Sequence, residues 1–143
     1  MWGFFIALIS GACMSIQGIF NTNMTKNSSL WVTNCWVQFT ALLVCLAGWA
    51  ITDRTGFTTI FKMESKYMLL GGVLGAFITL TVVKAMEVLG PANAVLIIVV
   101  SQIAVAYLIE VFGIFKVEKV PFSWMKLVGL GLAIAGIFIF EKN

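Results

Sequence analysis

Five stretches of this chain run for about twenty residues each with almost no charge, the length an α-helix needs to cross the roughly 30 Å hydrocarbon core of a bilayer. They are Trp2 to Phe20, Leu30 to Thr52, Tyr67 to Leu89, Ala92 to Phe112 and Trp124 to Phe140. Inside lipid no water is available to bond the backbone, so a spanning segment must satisfy its own N–H and C=O groups as a helix. With 61% of the 143 residues hydrophobic and 10% charged, there is too little polar surface to cover a soluble core. The mean hydropathy of +1.04 says the same. We therefore expect a single all-α membrane domain over residues 1–143, a polytopic protein with five transmembrane helices and short connections.

The first run lacks a basic leader, and Ser10-Gly11-Ala12 before Cys13 is a poor lipoprotein cleavage site, so it reads as a retained helix. Trp2, Trp31, Trp49, Tyr67 and Trp124 fall at or near segment ends, where amphipathic rings favour the headgroup level. Between the second and third runs, Phe57, Ile60 and Phe61 are helically spaced among charged residues; they form either an interfacial helix or a plain loop.

Charge narrows the function. Nine basic residues against six acidic ones are scattered, which leaves no stripe for nucleic acid. Histidine is absent, and with it every His-based metal or nucleophilic site. Cys13, Cys35 and Cys45 lack metal or redox spacing and read as small buried hydrophobes. No metal, cofactor or enzyme activity is expected. Five crossings put the termini on opposite sides. Arg54, Lys62, Lys66, Lys116, Lys119 and Lys126 share a side with the N-terminus, against Lys26, Lys84 and Lys142 on the other. The positive-inside rule then predicts a cytoplasmic N-terminus and an external C-terminus.

Polar groups within the apolar runs mark candidate sites, because an unpaired amide in lipid costs several kcal/mol. Ser10, Met14, Gln17 and Asn21 follow one face of the first helix, beside a small-residue ridge of Gly11, Ser15 and Gly18. Gln17 and Asn21 either line a cavity and bind a ligand or bond a neighbouring helix. Ser101 and Gln102 fall at the middle of the fourth run, which makes Gln102 the strongest single candidate. Asn34 and Gln38 repeat the signal more weakly, nearer the interface. Trp36 and Tyr107 lie deep enough to serve as packing or as cavity walls that attract a cation. Lys84 and Glu87, about 26 Å and 30 Å along the third helix, can both snorkel to the far interface. Glu87 and Glu110 are nonetheless the candidates for ion coupling. Gly71 with Gly75, Gly129 with Ala133, and Gly131 with Ala135 are small pairs four apart, suited to close helix packing or a dimer contact.

Taken in order, several of these motifs resemble the YdcZ-like, five-helix branch of the drug/metabolite transporter superfamily. The likeness rests on Gly11, Gln17, Gly18 and Asn21, on Gly71-Gly72-Val73-Leu74-Gly75-Ala76-Phe77, and on Leu89-Gly90-Pro91-Ala92. It continues through Ser101-Gln102, Ile109-Glu110-Val111-Phe112-Gly113 and the final helix from Gly129 to Gly136. This resemblance implies a half-transporter that pairs as an inverted, antiparallel dimer, a homodimer or a paralogous heterodimer, and moves a small molecule by alternating access. The substrate would be a small cationic or amphipathic metabolite. The related small multidrug resistance exporters carry a glutamate on the first helix; here that helix has no acid, and Gln17 and Asn21 hold its polar face. A neutral amide takes up no proton in the physiological range. A passive channel built from the same pair and a non-transporting assembly partner are the alternatives.

Overall fold

The structure is a computed structural model that describes residues 2–142, and every element among them is helical. Contacts divide the chain into two compact units, Met1–Glu87 and Val88–Asn143. Five helices are long and apolar enough to cross a membrane, as the hydropathy predicts.

In the first unit, α1 (Trp2–Asn27) and α2 (Leu30–Thr52) pack together as a hairpin. Helix α1 runs seven residues past the expected end at Phe20. The polarity of Asn21 to Asn27 ends the apolar run, but nothing there breaks a helix: no glycine or proline intervenes. Side chains bond back to the preceding turn instead, Thr22 Oγ1 to the Gly18 carbonyl at 2.8 Å and Asn27 Nδ2 to the Asn23 carbonyl at 3.0 Å. Ser29 then caps α2, its hydroxyl accepting the Val32 N–H at 3.2 Å.

The connection after α2 contains a short helix, α3 (Thr58–Phe61), with Phe57, Ile60 and Phe61 exposed. Trp49 anchors it, stacking on Phe57 at 4.8 Å between ring centroids and donating Nε1–H to the Thr55 carbonyl at 2.9 Å. Asp53 accepts both the hydroxyl and the backbone N–H of Thr55, which hold its carboxyl below the usual carboxylate range. A 3-10 segment, Lys66–Leu70, leads into α4 (Gly71–Leu89), so the third crossing begins tighter than the regular helix expected from Tyr67.

The core of this unit lies where the C-terminal parts of α1 and α4 meet the start of α2. Gly18, Asn21, Thr22, Thr33, Asn34, Val83 and Met86 are buried there. Gly18 permits the approach of α1 to α4: a Cβ at this position would stand 2.7 Å from Met86 Sδ. Cys13, Cys35 and Cys45 do not join this core. They are exposed, which corrects their reading as buried hydrophobes; their helix faces carry no covering element, and a thiol is apolar enough to meet lipid there.

The second unit comprises α5 (Pro91–Phe112) and α6 (Trp124–Glu141), which pack on each other. Gly90 and Gly113 bracket α5 at φ of 79° and 65°, values that glycine adopts without steric cost. Pro91 occupies the first turn, where its missing N–H removes no helical bond. After Gly113 the chain makes a second 3-10 turn, Ile114–Lys116, with Phe115 and Lys116 also in the left-handed region. Each such residue costs about 1–2 kcal/mol; beyond them, the Val120 N–H bonds back to the Glu110 carbonyl at 3.0 Å.

Candidate functional site

Within the first unit the amides divide into two kinds. Asn34 Nδ2 donates to the Ala76 carbonyl of α4 at 3.3 Å, and Gln38 Nε2 donates to Asn34 Oδ1 at 3.4 Å. Asn34, buried, thus joins α2 to α4, and Gln38 braces it from the next turn of α2. Asn21, 6% exposed, is buried in the same polar end of the unit. Gln17, one turn earlier on α1, is exposed and has no hydrogen-bond partner among the described residues. Trp36 is 54% exposed on α2, its ring 6.1 Å from that of Phe39. It is therefore not packed inside the chain. At the end of α4, Lys84 and Glu87 pair at 2.8 Å, the i, i+3 contact their spacing allows.

In the second unit Ser101 and Gln102 are exposed at the middle of α5, and Gln102, like Gln17, has no partner among the described residues. Tyr107 behaves differently. Its hydroxyl accepts the Ser123 N–H at 2.7 Å and donates to the Ser123 carbonyl at 3.2 Å. One buried oxygen thus satisfies both backbone groups of the residue that precedes α6, and ties the connection to α5. Sequence alone could not find this bond, because its partner is a backbone group sixteen positions away. Tyr107→Phe is expected to cost about 1–3 kcal/mol by removing the acceptor of the Ser123 N–H, while the Ser123 carbonyl keeps its bond from the Leu127 N–H at 3.4 Å, whereas Ser123→Ala keeps the same backbone groups and should unfold like the parent. Denaturation in detergent, followed by circular dichroism, distinguishes the two.

Glu110, the second candidate for ion coupling, accepts from Lys126 Nζ at 3.0 Å, and that ammonium also stands 5.1 Å from the centre of the Tyr107 ring. These groups head a cleft of about 420 Å³ between α5 and α6, which continues along Ile103, Ala106, Gly129, Leu130 and Ala133. The remaining small residues meet little within the chain. A Cβ built at Gly71, Gly72, Gly75, Gly129 or Gly131 would find nothing within 4 Å, and Ala135 is exposed. The structure thus brings Tyr107 and Glu110 together with Lys126, and leaves Gln17, Gln102, Ser101, Trp36 and these small-residue ridges uncovered.

A family model described as "Putative inner membrane exporter, YdcZ" matches residues 2–139, which takes in four crossings whole and most of the fifth. None of the curated proteins and none of the solved structures matches the chain. A match over nearly the whole sequence, on a chain whose described residues form five membrane-length helices, shows that this protein belongs to the YdcZ family of inner-membrane transporters.

Proposed function

We propose that the chain is one half of a secondary transporter that works by alternating access, two copies or two paralogous chains pairing antiparallel around a small cationic or amphipathic substrate. The observation that carries this reading is the pair of exposed amides, Gln17 and Gln102, at membrane depth with no partner among the described residues. Lipid does not tolerate such groups cheaply, so each calls for water, a second chain or a ligand. Asn21 and Ser101 flank them, and Trp36 offers an aromatic face for a cation. The open small-residue ridges of Gly71 with Gly75 on α4 and Gly131 with Ala135 on α6 support close contact with a second chain.

The six-to-three distribution of basic residues favours a cytoplasmic N-terminus for this chain, and an opposed partner would carry the reverse bias. No carboxylate lies on α1, so proton exchange through that helix is not part of the mechanism. Glu87 and Glu110 are the carboxylates available for coupling, and each would first have to leave its lysine. Liposomes holding the purified protein, loaded with amines, sugars or neutral metabolites in turn, should show saturable counterflow with one class. Uptake that rises linearly with concentration would indicate a channel instead, and no uptake of any class would leave the amides as assembly contacts.

A further inference from the structure

The α5–α6 cleft has a chemistry of its own. At its head a positive and a negative group are held side by side, Lys126 and Glu110, with side chains 48% and 40% exposed. Lys126 is fixed on two sides, by the Glu110 carboxylate and by the face of the Tyr107 ring. An ammonium has three donors, so after one is given to Glu110 two remain for an outside acceptor. Glu110 uses Oε2 for that bond, and a carboxylate has further lone pairs for an outside donor. The head of the cleft therefore presents one anion-binding and one cation-binding group within a single headgroup's reach.

Its depth fits the same reading. Glu110 lies two residues before the end of α5 and Lys126 two residues after the start of α6, close to Phe122 and Trp124, whose rings meet at 5.3 Å. Charged groups flanked by aromatic rings at helix ends mark the headgroup level. From there the floor descends past Gly129 to Ala133, about 10 Å along the axis of α6. The walls at this depth are Ile103, Ala106 and Leu130, and the added Cβ at Gly129 would meet nothing, so the floor is open. A charged pair above an apolar trough matches an amphipathic molecule that is itself zwitterionic at one end.

We infer that this cleft binds a phospholipid with a primary-ammonium zwitterionic headgroup, its phosphate on Lys126, its ammonium on Glu110 and an acyl chain along Gly129 and Ala133. The primary ammonium matters. It can donate hydrogen bonds to the Glu110 carboxylate, which a trimethylammonium cannot, and charge-assisted bonds are the strong ones. An anionic glycerol headgroup would set its phosphate on Lys126 and offer Glu110 only neutral hydroxyls, without the charge-assisted bond.

Native mass spectrometry of the full-length protein, delipidated and titrated with phosphatidylethanolamine, phosphatidylcholine or phosphatidylglycerol, tests the assignment. Phosphatidylethanolamine should bind about tenfold more tightly than phosphatidylcholine, a difference of one charge-assisted contact. Glu110→Gln should abolish that preference while sparing phosphatidylglycerol binding, and Lys126→Gln should weaken both. Gly129→Leu fills the open floor without touching either charge, and should reduce occupancy by every lipid at unchanged helix content. Equal affinity for the ethanolamine and choline lipids in the parent protein would overturn the inference. So would an ethanolamine preference that survives Glu110→Gln, or undiminished occupancy in Gly129→Leu.

Discussion

Replacing Gln102 with leucine is expected to lower saturable counterflow about tenfold or more, with helix content and resistance to denaturation unchanged. The magnitude is that of one or two lost hydrogen bonds to a bound ligand, each about 1 kcal/mol net and more where a charge is involved. Stability should move by no more than about 0.5 kcal/mol, as for substitutions away from packed features, because the amide has no partner among the described residues. Gln17→Leu should behave alike. Asn34→Leu serves as the contrast: its amide donates to the Ala76 carbonyl and accepts from Gln38, so its loss should reduce stability whether or not transport is measured. Counterflow in liposomes beside denaturation in detergent gives both readouts from one preparation. A Gln102→Leu protein that transports at the parent rate would remove that amide from the proposed substrate path, and one that loses pairing seen in the parent would assign it to a contact between chains.

The second large effect concerns Gly18. A valine there is expected to destabilise the first unit by about 2 kcal/mol, in the range measured when bulk is forced into a filled space. The space is already occupied by the end of the Met86 side chain, 3% exposed, whose sulfur lies 2.7 Å from the added Cβ. Alanine should cost less than valine, since a thioether is flexible and can swing aside for one methyl group. Met86→Ala should then rescue Gly18→Val, the double variant losing less than the sum of the singles, because the valine methyls fill the volume that the thioether vacates. Strict additivity in denaturation measurements would refute the contact.

The crossings were legible because bilayer thickness converts directly into a run length, and five such runs are present. Where hydropathy and helix-forming capacity part, the reading was less sharp. Helix α1 continues through Asn21 to Asn27 because no glycine or proline interrupts it, and polarity alone does not stop a helix, which a hydropathy window does not register. Asn34 was a weak ligand candidate by composition, and its acceptor on Ala76 lies forty-two positions away, beyond the reach of any periodicity argument. The same holds for Glu110 and Lys126, sixteen positions apart and joined only when the connection between α5 and α6 folds back. Gln17 and Gln102, by contrast, stand out at both levels, amides set within apolar runs of the sequence and without a hydrogen bond among the described residues.

The hydroxyl of Tyr107 sets how force passes between the last two membrane spans. With Ser123 clamped at 2.7 and 3.2 Å, Val120 held to the Glu110 carbonyl and Lys126 held to its carboxylate, the stretch from Gly113 to Ser123 has no slack at its far end. Parting α6 from α5 would therefore break the phenol's two bonds to Ser123 together with these ties, so the two helices are fastened to each other at this end.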